Sequence, residues 1–305
     1  MRISLEPPPV YFLHVPKTAG TALGNWLRKA YRARDHIDLD VPQALACPPD
    51  HLSRLRCFHS WHHGRGMYDW LGRPDLPVVT VLRDPIERTV SLFEQHRRHL
   101  ARHPEMFHED YLGSMAALMA GGIEACDDLA RVAPTQTALL GNRRDYRAFF
   151  EQARASGSEP RPPRRPFGIP PIPWPGGDRQ GFEAACAWLR DMPVVGLTER
   201  FAESMQLVCD LLGIPSPAIP PHANVNPKRL AARGRYVDEL SPSAMERIVE
   251  HDRFDLELYA LAVDLFEQQW AAFRARPRRV HSLGPRLRGL RERLQQALPN
   301  SAIGN

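Results

Sequence analysis

No apolar run in these 305 residues approaches the ~18 that a membrane-spanning helix needs, and the opening MRISLEPPP lacks the apolar core of a secretion signal. The expected location is therefore cytosolic. Cysteine is scarce too: Cys47, Cys57, Cys126, Cys186 and Cys209 are odd in number, scattered and never in a C-x-x-C spacing. That pattern argues against a disulfide framework and suits reduced, mostly buried thiols. Acidic residues are nearly missing from positions 273–305, where eight Arg face a single acid, Glu292. This tail carries +7 while the whole chain carries +5, so the body stands at −2. Basicity is thus a property of the tail, and nucleic-acid binding by the body is not expected.

What is present is a chain that is 43% hydrophobic, enough for one sizeable core, with thirty prolines that imply long irregular connections. We read one α/β domain over residues 1–272 with helical additions, and within it a Pro-rich insertion at 157–179 that is long for an ordinary loop. A basic tail follows over 273–305. There Leu287, Leu290, Leu294 and Leu298 fall at helical spacing among Arg286, Arg288, Arg291 and Arg293. Such a short amphipathic pattern suits peripheral contact with an anionic membrane face or an acidic polymer; a frayed terminus is the alternative.

The chain is organised around residues 11–31, YFLHVPKTAGTALGNWLRKAY. Val10 to Val15 is rich in β-branched and aromatic residues, as in a buried strand of a parallel sheet, and Pro16 ends it. Beyond Gly20, the positions Leu23, Trp26, Leu27, Ala30 and Tyr31 fall on one face of a helix. The turn between them, Pro16-Lys17-Thr18-Ala19-Gly20-Thr21, combines a cation, two hydroxyls and a glycine at a helix N-terminus. There, amide groups and the positive dipole end favour an anion such as phosphate. A solvated lysine at an ordinary turn is the competing reading. The ATP-binding loop G-x-x-x-x-G-K-[ST] does not fit, because Lys17 precedes Gly20.

Residues 32–50 show no clear period and are expected to form a loop beside a substrate cleft. Leu55 to Phe58 reads as a short strand that delivers His59 at its end, with His62 and His63 close behind. Open α/β sheets place their chemistry beyond the strand ends, so any of these three histidines is a candidate base, or a solvated loop residue. Pro77 to Leu82 is a strand, and Arg83-Asp84-Pro85 breaks from it into a helix, with Asp84 as cap. Arg83 at the strand end and Ser91 on the second helical turn can converge on a phosphate monoester; an ion pair among Arg83, Asp84 and Arg88 is the alternative. On that helix His96, His99 and His103 have metal-binding spacing, but Arg97, Arg98 and Arg102 interleave and disfavour a cation, so no metal is expected. Met192 to Leu197 reads as another strand, leading through Thr198, a candidate cap, into a helix with Phe201, Met205, Val208, Leu211 and Leu212 on one face.

HVPKTAGT resembles the 5′-phosphosulfate loop of sulfotransferases that use 3′-phosphoadenosine 5′-phosphosulfate (PAPS), especially the branch of Golgi heparan and chondroitin sulfate sulfotransferases and their bacterial relatives. LRDPIERTVSLF resembles the 3′-phosphate motif of the same family, and the two stand in the right order about 65 residues apart. The resemblance implies a three-layer, P-loop-like α/β core with a central parallel sheet. It implies that Pro16, Lys17, Thr18, Ala19, Gly20, Thr21 and Ala22 surround the 5′-phosphosulfate, with Lys17 neutralising the bridging oxygen, and that Arg83 and Ser91 hold the 3′-phosphate. Lys228 and Arg229, in a family-like loop, would approach that phosphate. The family's Gly-His pair after its second strand supplies the proposed base; Phe58 replaces the glycine here, which puts His59 first and His62 or His63 as alternatives. A segment that usually reads N-x-Q-T-R keeps only Gln136 and Thr137, for which a helix cap and first turn are the plain alternative. The implied reaction moves a sulfuryl group from PAPS to a hydroxyl, of a carbohydrate or glycolipid, and leaves adenosine 3′,5′-bisphosphate without a metal. A P-loop kinase, or a non-catalytic binder of nucleotide or acidic polysaccharide, are the other readings.

Overall fold

The computed structural model describes residues 6–61, 63–102, 122–123, 134–155, 178–219 and 236–276. His62, His103, Lys228, Arg229, nearly all of the insertion and the tail from residue 277 lie outside the described residues. The chain divides into two units, residues 1–270 and 271–305. The first holds a five-stranded parallel sheet flanked by helices, in the order β2-β3-β1-β4-β5.

The central strands are where uncharged, branched sequence must go. Strand β1 (Val10–His14) and β4 (Val78–Leu82) are buried at every position. They pair in parallel, Phe12 opposite Val79, as expected of runs covered on both faces. Helix α1 (Gly20–Ala30) follows β1 and buries Leu23 and Leu27. Strand β5 (Val194–Leu197) pairs with β4 and is followed by α9 (Phe201–Leu212). Between β4 and β5 run α5 (Pro85–Arg102), α6 (Gln136–Leu140), α7 (Tyr146–Ala155) and α8 (Arg179–Asp191). After β5 the chain adds α10 (Pro242–His251) and α11 (Arg253–Ala275).

Residues 32–50 are not a loop. They contain the edge strand β2 (His36–Leu39) and two short helices, α2 (Val41–Ala46) and α3 (Pro49–Leu52). Strand β2 is short and half-buried, so its sequence carries no apolar run; pairing with β3 creates it. Strand β3 spans Cys57–Trp61 and precedes α4 (Gly64–Leu71). His59 therefore sits inside the strand, opposite Phe12 of β1 and Asp38 of β2, rather than at its end. Thr198 does not cap α9: its hydroxyl donates to the Leu82 carbonyl and ties the ends of β4 and β5 together, while Arg200 occupies the cap position.

Candidate functional site

The connection after β1 leads to one side of the sheet and that after β4 to the other, so their C-terminal ends border the crevice where open α/β folds bind ligands. The turn after β1 has an unusual backbone: Lys17 (φ 72°) and Ala19 (φ 62°) are both left-handed without being glycine. Positive φ at two side-chain-bearing residues costs of order 1–3 kcal/mol each and collects at ligand-binding turns. The Thr18 hydroxyl, buried, donates to the Val15 carbonyl (2.8 Å) and pins the turn from inside. Among the described residues no side chain caps α1; the Ala22 amide closes on the Ala19 carbonyl (2.9 Å), so Gly20 and Thr21 form the first edge of the helix.

The two sequence motifs meet here. Arg83, the first residue past β4, donates from Nη1 to the Lys17 carbonyl (3.3 Å) and from Nη2 to Glu87 Oε2 (3.3 Å). Arg88, one turn into α5 and 2% exposed, donates to the carbonyls of Pro16 (3.1 Å) and Pro134 (2.5 Å). It buttresses the turn rather than pairing with Asp84, which instead accepts from the Glu87 amide as the expected cap. Ser91 lies buried on the same helix. Burial, then the charges of Arg98, Arg83 and Arg88, pushes the Lys17 ammonium down to about 8. The mouth of the crevice is thus a concentration of positive charge.

Gln136 and Thr137 open α6, whose cap is Thr135. Gln136 clamps the main chain of Arg83 from both sides: its Oε1 accepts from the Arg83 amide (3.0 Å), and its Nε2 donates to the Arg83 carbonyl (2.9 Å). Asp255 of α11 accepts from the Gln136 and Thr137 amides (2.8 and 2.7 Å). Sequence spacing gave no sign of this carboxylate and offered Arg88 only as a local ion-pair partner, because both act across more than 40 residues. Among the described residues, the buried Thr137 hydroxyl has no hydrogen-bond partner.

The histidines described here occupy three settings. His63 bonds Asp40 through Nε2 and the Tyr146 hydroxyl through Nδ1 (3.0 Å), at the start of α4. His59, 1% exposed, has both ring nitrogens engaged: Nδ1 with Asp38 Oδ1 (2.8 Å) and Nε2 with His14 Nδ1 (3.0 Å). Burial pushes the His59 imidazole below its ordinary pKa despite the adjacent carboxylate. Burial also works to raise the Asp38 carboxyl, but hydrogen bonds from His59 and Arg28 outweigh it and hold the group well below the carboxylate range. His36, Asp38 and His59 bring three ligand atoms within 4.8 Å of one another. However, Arg28 grips both Asp38 oxygens at 3.0 Å, which disfavours a cation there; His59 bonds Asp38, while His36 Nε2 stands 3.7 Å from it, too far for a hydrogen bond. His96 is buried, its Nδ1 bonded to the Leu92 carbonyl (2.9 Å), and burial pushes its pKa to about 4. Among known proteins, no family model and no curated protein matches the chain.

Proposed function

We propose that this protein transfers a sulfuryl group from PAPS to an acceptor hydroxyl of a carbohydrate or glycolipid. The observation that carries the proposal is the meeting of the two anion-suited turns: Arg83 of the second bonds the Lys17 carbonyl of the first, and burial, then the nearby guanidinium charges, pushes the Lys17 ammonium down to about 8. A donor carrying anionic 5′-phosphosulfate and 3′-phosphate groups would offset those charges. The Gly20 and Thr21 amides at the end of α1 suit the 5′-phosphosulfate, and Lys17 beside them suits the charge that develops on the bridging oxygen as the S–O bond breaks. Arg83, just past β4, and Ser91, on α5, suit the 3′-phosphate; Glu87 would release the guanidinium as the phosphate takes it. Thr18 is turned inward onto Val15, which favours this reading over a P-loop kinase, where the residue after the loop lysine faces magnesium.

Calorimetric titration tests it. Adenosine 3′,5′-bisphosphate should bind with micromolar affinity, AMP and magnesium-free ATP far more weakly, and Arg83→Ala or Ser91→Ala should remove the preference. Losing a charge-assisted bond of about 1.5–3 kcal/mol corresponds to roughly a 10- to 150-fold weaker affinity for Arg83→Ala. Equal or absent binding of all three ligands refutes the proposal. Selective binding without any transfer to hydroxyl acceptors would instead support the non-catalytic reading.

A further inference from the structure

The direct bond between the two turns, Arg83 Nη1 to the Lys17 carbonyl, is long at 3.3 Å. Shorter contacts reach both turns from one buried carboxylate, Asp255, which is 1% exposed and lies in the first turn of α11. Leu258, Ala262 and Phe266 are buried on the same face of that helix, so the carboxylate stands on an element anchored in the core.

One branch runs from Asp255 to the turn after β4. Its Oδ2 accepts from the Gln136 amide (2.8 Å) and its Oδ1 from the Thr137 amide (2.7 Å), so each oxygen fixes one residue at the start of α6. Gln136, fully buried, carries the constraint onward, because its carboxamide holds the amide and the carbonyl of Arg83 at 3.0 and 2.9 Å. The main chain from which that guanidinium extends is thus held at two atoms. The other branch runs through Arg88, whose buried charge is favoured by Asp255 and Asp252. Arg88 donates to the Pro134 carbonyl (2.5 Å), just ahead of the α6 cap, and to the Pro16 carbonyl (3.1 Å), just ahead of Lys17.

We infer that Asp255 is a positioning residue for the donor site, setting the spacing between the turn that takes the 5′-phosphosulfate and the arginine that takes the 3′-phosphate. The inference rests on the PAPS reading for the identity of the ligand. A nucleotide bearing both groups gains fully from the second phosphate only where the two turns already stand at its own span; otherwise part of the interaction goes into moving a turn. A nucleotide with one phosphate uses one turn and follows it when it shifts. Asp255→Asn keeps the shape of the side chain but puts an NH2 group where a carboxylate oxygen accepted, so one of the two α6 amides loses its acceptor. Asp252 is the natural control. It is equally buried and three residues away, but it accepts from the Thr89 hydroxyl (2.5 Å) and bonds His251 Nδ1 (2.7 Å), contacts that lead to α5 and to its own helix end rather than to α6.

Titrations of the full chain with adenosine 3′,5′-bisphosphate, 5′-AMP and 3′-AMP test the assignment, together with hydrogen exchange at the Arg83 amide followed by NMR. In Asp255→Asn, affinity for the bisphosphate should fall about 10- to 100-fold and that for either monophosphate less than about 3-fold, while the Arg83 amide exchanges faster. Asp252→Asn should lose stability in urea unfolding as well, yet leave the bisphosphate preference and the Arg83 amide as in the parent. Gln136→Met cuts the branch nearer to Arg83 and leaves the carboxylate in place. It should reproduce the loss of preference, and it decides the matter where Asp255→Asn does not fold. An unchanged ratio of bisphosphate to monophosphate affinity, an unchanged Arg83 amide, or the same losses in Asp252→Asn overturns the inference. A parent that does not prefer the bisphosphate, with Arg83 exchange responding as described, falls on the sulfotransferase reading instead.

Discussion

Gly24→Ala is the substitution whose outcome depends most on where the structure puts His59. In an isolated helix the change would stabilise, since alanine exceeds glycine by about 1 kcal/mol. Here the new methyl would lie 2.4 Å from His59 Cε1 and 3.0 Å from both ring nitrogens. The ring must move by about 1 Å to restore ordinary contact, and it is held at 2.8 Å by Asp38 and 3.0 Å by His14. Overpacking costs about 1–3 kcal/mol and a lost bond to a charged group about 1.5–3, so a net destabilisation of about 1.5–5 kcal/mol remains after the helical gain. Urea unfolding measures it, and thermal melting should fall by about 2–4 °C per kcal/mol. On a His59→Ala background the obstacle is gone, and the same substitution should be neutral or stabilising. A coupling of up to about 3 kcal/mol between the two sites is the signature of direct contact. If Gly24→Ala is as stable as the parent, or costs the same on both backgrounds, His59 does not pack beneath α1.

Because Lys17 titrates near 8 in the free protein and gains from a bound anion, adenosine 3′,5′-bisphosphate should take up a proton near that pH, approaching about half a proton at pH 8. Its affinity should decline as pH rises above 8; titrations in buffers of different ionisation enthalpy read the uptake, and Lys17→Met should abolish it. Arg88→Met should destabilise by about 3–5 kcal/mol in chemical unfolding, since it leaves the Pro16 and Pro134 carbonyls without their buried donor and Asp255 without its counter-charge. His96 has its folded pKa depressed to about 4, below the unfolded value near 6.5, so the unfolded chain binds more protons between those values. Stability should therefore fall as pH drops through that window, by up to about 3 kcal/mol from this group, and His96→Leu should flatten the profile there.

The strands β1, β4 and β5 were legible because each is a short run of branched and aromatic residues with no polar alternation, which only a sheet covered on both faces can bury. The turn at Lys17 and the break at Arg83 were legible for the same local reason: Pro16, Gly20, Asp84 and Pro85 dictate where strand stops and helix starts. Strand β2 was not, since His-Ile-Asp-Leu becomes a strand only by pairing with β3, and β3 itself runs two residues later than its apolar content suggests.

The sequence by itself determined the alternation of strand and helix, the parallel sheet and the residues offered at the mouth of the crevice, because capping, periodicity and apolar runs act within a few residues. Only the tertiary structure decided that His59 is enclosed within β3 between Asp38 and His14, and that Arg88, Gln136 and Asp255 brace the two turns from elements far along the chain. Those roles follow from strand register and from the close approach of α1 at Gly20 and Gly24, and neither is written in the spacing of any one segment.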